Sequence, residues 1–203
     1  MKRYLLKSML LIAALLIITS NLSAQRLIDM TCTVFDGTWE PISGTQIMGA
    51  SDDGTVLVDW NSLGFAFKWD DVSRTQAFIS ANGFMLFSPY YYYTIGPSNL
   101  YDNRPGIHVL ARDGYVRQSI NYELRGNAPN RVLIFQWNNY DVYYGNNTGT
   151  FTDYQIRLYE TSNIVEVIFG DVNCGSYAWG SEYNGVLLGF GTDRSNEDRK
   201  SVV

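Results

Sequence analysis

A single histidine bounds the chemistry open to this chain. Ser-His-Asp and Cys-His sites would both have to use His108. It sits inside the strand-like run Ile107-His108-Val109-Leu110, so it reads as a sheet-face or loop-edge residue. The sequence has no G-x-S-x-G elbow, HExxH pair, P-loop or Rossmann fingerprint. Glycosidases need only two suitably separated carboxyls. Glu123, Glu160 and Glu166 fall on or at the ends of predicted strands, but no pattern marks one of them as an acid with a raised pKa, and solvated sheet faces also carry such residues. The chain therefore reads as non-enzymatic, with no cofactor. A structural calcium is the one metal worth testing. Asp52-Asp53-Gly54, Asp70-Asp71, and Asp193 with Glu197 and Asp198 could supply hard oxygen ligands, although none has EF-hand spacing and Asp-Gly and Asp-Asp are ordinary turn residues.

Aromatic clusters carry more information. Tyr90, Tyr91, Tyr92, Tyr93 and Tyr101 lie in one predicted loop. Trp137, Tyr140, Tyr143 and Tyr144 lie in or beside a second, and Trp179 lies in a third, Gly-rich stretch with Tyr177 and Tyr183. A flat ring with a polar tip stacks on the apolar face of a sugar or anchors a protein interface at low entropic cost. The same rings could instead brace their own loops or face the core.

The elements that must position these groups are strands. Ile120-Asn121-Tyr122-Glu123-Leu124, Tyr154-Gln155-Ile156-Arg157-Leu158 and Val165-Glu166-Val167 alternate apolar and polar residues, the period of a strand with one wet face. Asn82-Gly83 marks a hairpin. Thr161-Ser162-Asn163 and Gly126–Asn130 mark two more turns. Strands are predicted at 28–35, 45–49, 55–59, 63–68, 75–80, 84–88, 107–111, 115–125, 131–138, 151–160, 164–170 and 185–191. Turn signals about every ten residues predict an all-β fold, a two-sheet antiparallel β-sandwich of jelly-roll type.

Residues 1–24 read as an export signal. Lys2, Arg3 and Lys7 precede the apolar run Leu10–Ile18, and Leu22-Ser23-Ala24 offers a cleavage site before Gln25. Residues 25–203 then form one domain with no membrane span. Cleavage removes three of the 15 bases and none of the 20 acids, leaving 12 against 20, a net charge of −8. That sign argues against nucleic acid and anionic lipid as partners. Cys32 and Cys174 could pair in an oxidising compartment, closing a long loop worth ~4–5 kcal/mol if unstrained, or remain two buried thiols.

Several strings together resemble a known module. FISANGFMLFS, INYELRGNAPNRVLIFQWNNY, YQIRLYETSNIVEVIFGDV, GVLLGFGTD and the opening EPISGT resemble the N-terminal β-sandwich module of bacterial cell-surface and type IX-secreted proteins. The same hairpin order appears in the extracellular domain named after nidogen. The similarity covers most of residues 30 to 194. Where such modules carry "IAPFWDDL", this chain has Gly106–Gly114, with the paired acids reduced to Asp113. The resemblance implies an exported sandwich in the periplasm, at the cell surface or outside the cell.

Three functions follow as expectations. The first is a non-catalytic recognition or adhesion module that binds glycan or surface protein through the aromatic loops. The second is a structural or accessory domain of a larger secreted or envelope protein, since the polar tail before Val203 looks like the approach to another strand. The third is a carbohydrate-active enzyme.

Overall fold

The computed structural model describes residues 31–88, 105–111, 113–142, 151–173 and 187–191. The export signal predicted at 1–24 lies outside them. The expected all-β class is what forms: among the described residues there are twelve strands and one 3-10 turn, at Asn61–Leu63. The strands are β1 (Thr45–Met48), β2 (Thr55–Asp59), β3 (Phe67–Trp69), β4 (Val72–Arg74), β5 (Gln76–Ser80) and β6 (Phe84–Leu86), followed by β7 (Gly106–Ala111), β8 (Gly114–Arg125), β9 (Val132–Val142), β10 (Phe151–Tyr159), β11 (Val165–Asn173) and β12 (Leu187–Gly191). A first sheet has the order β1-β8-β9-β10-β11 and a second the order β12-β7-β6-β5-β2, while β3 and β4 form a separate ribbon. Every pairing is antiparallel.

The alternation seen in the sequence builds the interior. Inward residues of the second sheet (Val58, Ala77, Ile79, Met85, Ile107, Val109) and of the first (Val116, Ile120, Leu133, Phe135, Ile156, Leu158) join one buried cluster. Two rings lock the sheets together by donating hydrogen bonds across the interior. Trp137 Nε1 gives one to Ser80 O at 2.9 Å, and the Tyr140 hydroxyl gives one to Leu110 O at 2.8 Å. Trp137 also lies flat on Tyr154, with ring centroids 4.8 Å apart.

Three predicted boundaries need correction, and one predicted ligand pair takes its place in a turn. Residues 31–35, expected in a strand, have no regular structure. The strand expected at 63–68 begins only at Phe67, because Asp59 Oδ1 accepts the Asn61 N–H at 2.8 Å and Gly64 turns left-handed, which makes a 3-10 turn first. Asp70 and Asp71, offered as calcium ligands, form the two-residue turn between β3 and β4. Both have positive φ, as a tight hairpin requires. Finally, β9 runs four residues past Asn138. Asn139 takes a positive φ and its N–H donates to Asp153 Oδ1 at 2.6 Å. This bulge resets the alternation so that Tyr140 faces inward.

The G-x-APNR turn ends in a buried clamp. Arg131 reaches Glu160 through Nε at 2.8 Å and Nη2 at 2.5 Å, and it donates to Leu63 O and Gly64 O, both at 2.7 Å. The hydrogen bonds from Arg131 hold the Glu160 carboxyl down at about 2. This clamp ties the 3-10 turn to the ends of β9 and β10.

Candidate functional site

Strand direction sorts the loops into two ends. The pairings Gly114 with Val142, Phe151 with Asn173 and Leu187 with Ala111 bring the strand ends that bound segments 143–150 and 174–186 to one rim. The β5–β6 hairpin and the β7–β8 turn share that rim: Gly114 N–H donates to Asn82 Oδ1 at 2.8 Å. Leu86 and Gly106, which bound segment 89–104, pair with each other at the opposite end. There Phe87 N–H donates to Pro105 O at 2.9 Å.

The first rim holds a cluster of acids. Carboxylate oxygens of Asp52, Asp53 and Asp113 lie within 4.8 Å of one another. Asn82 supports them from the hairpin, its Nδ2 donating to Asp53 Oδ1 at 3.2 Å. Gly83 is needed here: its φ is positive, and a Cβ would come within 2.7 Å of Leu110 O. Desolvation first, and the Asp53 charge second, push the Asp52 carboxyl above its ordinary range. Sequence reading found Asp52 and Asp53 as hard-oxygen donors but not their meeting with Asp113, which the β7–β8 turn delivers from a distant part of the chain. Three carboxylates can offer up to six of the six to eight oxygens calcium takes, and without a cation between them the same charges crowd one another.

Like charges this close favour a protonated Asp52. Its raised pKa stabilises the fold at low pH, and that contribution is lost as pH rises. Asp52→Asn is therefore expected to raise the melting temperature at neutral pH in EDTA by about 1–3 °C, and the advantage should shrink as pH falls toward 4. Thermal melts read this directly. Millimolar calcium separates repulsion from ligation, because a bound cation would stabilise the parent chain and leave the variant unmoved.

The other sites predicted from the sequence fall as follows. Trp137 and Tyr140, read as loop-borne ligand contacts, are fully buried. They are core residues: Trp137 follows Leu133 and Phe135 on the inward face of β9, and the bulge returns Tyr140 to that face. Tyr143, Tyr144 and Trp179 lie outside the described residues, as do Tyr90, Tyr91, Tyr92, Tyr93 and Tyr101. So do Asp193, Glu197, Asp198 and Cys174. Cys32 is an exposed free thiol.

Each glutamate considered for glycosidase chemistry holds an arginine. Glu123 pairs with Arg125 at 2.6 Å, Glu160 with Arg131 at 2.5 Å and Glu166 with Arg157 at 3.0 Å. A general acid needs a raised pKa, and Glu160 is shifted the opposite way. Asp153, which sequence reading passed over, is raised by burial, but it is occupied in holding the Asn139 bulge. His108 lies buried on β7 beside the Phe84 ring, and its Nδ1 has no hydrogen-bond partner among the described residues. Burial lowers it to about 4, so it is neutral at physiological pH.

These features define an antiparallel β-sandwich module in which Glu123, Glu160 and Glu166 are each paired with an arginine. The profile of the family described as "NIDO related" matches residues 29–197. The chain belongs to that NIDO-related family, which confirms the nidogen-like part of the resemblance. No curated protein and no solved structure shows a significant match to it.

Proposed function

We propose that this chain is an exported, non-catalytic recognition or adhesion module that binds glycan or protein at the bacterial surface through one rim of its sandwich. The observation that carries this reading is the gathering of strand ends around segments 143–150 and 174–186, which hold Tyr143, Tyr144 and Trp179. Large amphipathic rings displayed from a rigid sheet end are suited to stacking on sugars and to anchoring interfaces. NIDO-related membership and the all-β fold are compatible with a module of this kind. The rim's acids would favour a neutral or basic ligand. Segment 89–104, which holds Tyr90, Tyr91, Tyr92, Tyr93 and Tyr101, is bounded by strand ends at the far rim and is not part of this proposal.

The test is a glycan array and a surface-protein pull-down with the mature chain, beside a Tyr143→Ala/Tyr144→Ala/Trp179→Ala variant that melts like the parent. Retained ligand that the triple variant loses supports the proposal. Ligand bound equally by both moves the site off this rim.

A further inference from the structure

We propose that the outer face of the first sheet is a peptide-binding trough that reads main-chain atoms, filled in cis by residues 38–44 and open to the same segment of a second copy. The inference is independent of the rim.

Residues 38–44 cross the outer face of β11, β10, β9 and β8 before the chain turns into β1. They are held mainly through their backbone. Arg157 Nη2 donates to Thr38 O at 3.3 Å, Gln155 Nε2 to Glu40 O at 2.7 Å and Asn121 Nδ2 to Gly44 O at 3.4 Å. In the other direction, Ile42 N–H donates to Gln136 Oε1 at 2.9 Å and Ser43 N–H to Glu123 Oε2 at 3.3 Å. The sheet amides are prearranged for this. Gln155 Nε2 also donates to Gln136 Oε1 at 2.7 Å, and Gln136 Nε2 to Asn138 Oδ1 at 2.5 Å.

Gln136 and Gln155 are buried, at 2% and 0% exposure, so losing the strap would disrupt a satisfied polar network. Three side chains of the strap are read, one of them Glu40, whose Oε2 accepts from Arg125 Nη1 at 3.4 Å. Trp39 lies over Gly170, where a Cβ would come within 2.6 Å of the indole, and Ile42 is buried. The trough therefore takes an extended peptide with an aromatic and an aliphatic anchor three residues apart, and the chain itself carries that peptide.

The connection favours exchange. β1 pairs only with β8, through Thr45, Gln46 and Met48, and a register shift interrupts the pairing. The body is next pinned at Ser51, which exchanges 2.9 Å backbone hydrogen bonds with Val116 in both directions. Gly49 and Ala50, between them, would serve as the hinge. Gly37–Met48 extends to about 40 Å, enough to reach a neighbouring sheet. A strap that leaves one copy for another keeps every contact described above, which makes swapping an inexpensive route to association.

The experiment mixes two full-length variants. Gly170→Val blocks the trough but keeps the strap, and Trp39→Ala weakens the strap but keeps the trough. Light scattering after size exclusion should show a dimer in the mixture that neither variant forms alone. A parallel arm refolds two differently tagged parent chains together at high concentration. Co-purification should appear and be suppressed by excess synthetic Gly37–Met48 peptide, a result that stands even if a variant fails to fold. The proposal is overturned if all samples stay monomeric, if a dimer persists in Gly170→Val alone, or if the peptide leaves co-purification unchanged.

Discussion

Trp137→Ala is expected to remove about 3–5 kcal/mol of unfolding free energy, the usual cost of deleting a buried indole. Three losses combine at this one position. The cavity opens between the sheets, where Trp137 is fully buried. Tyr154 loses the ring stacked on it at 4.8 Å. Ser80 O loses the indole donor at 2.9 Å, keeping the longer bond from Gly83 N–H at 3.3 Å, and with the indole goes one of the two hydrogen bonds by which β9 aromatics bind the second sheet. Against the about 5–15 kcal/mol typical of a domain, this leaves a marginal fold. Urea denaturation gives the number. Trp137→Phe separates the contributions: it keeps most of the apolar contact and gives up the hydrogen bond, which is worth about 1 kcal/mol. Equal losses in the two variants would mean that the hydrogen bond, rather than the packing, dominates.

The second large effect is an acid transition centred on His108. In the unfolded chain its imidazole titrates near 6.5, whereas in the folded protein burial lowers it to about 4. Between those values the unfolded state binds more protons, so stability falls as pH drops through the window from 6.5 to 4. Below about 4 both states are protonated and this contribution to the slope ends. The depression corresponds to about 3 kcal/mol. His108→Leu should flatten that part of the profile relative to the parent chain. Asp52 and Asp153, with raised pKa values, and Glu160, with a lowered one, titrate in both proteins and cancel in the difference. Parallel profiles over pH 4–6.5 would show that the imidazole gains a partner or water when it protonates.

The fold was legible because a strand's two-residue period survives wherever one face is covered and the other is wet. Tyr154–Leu158 is the clearest case: its apolar positions enter the core while Gln155 and Arg157 face the strap. Legibility failed where the backbone broke that period. At Asn138-Asn139 a polar pair within a bulge looks like the start of a loop, so Trp137 and Tyr140 were read as ligand contacts. The buried Gln136 and Gln155 could not have been foreseen either, since nothing local tells a polar outer face from one covered by residues more than 90 positions away. The acidic rim was half legible. Asp52 and Asp53 are adjacent in sequence, but Asp113 joins them only through the crossing from β7 to β8.

The strand ends that bound segments 89–104 and 143–150 lie at opposite ends of the sandwich. Along β7 those ends are about 17 Å apart, the rise of five residues from Gly106 to Ala111. One segment is anchored through β6 and β7 and the other through β9 and β10, so a change to either leaves the other's anchors in place and the two can be varied separately.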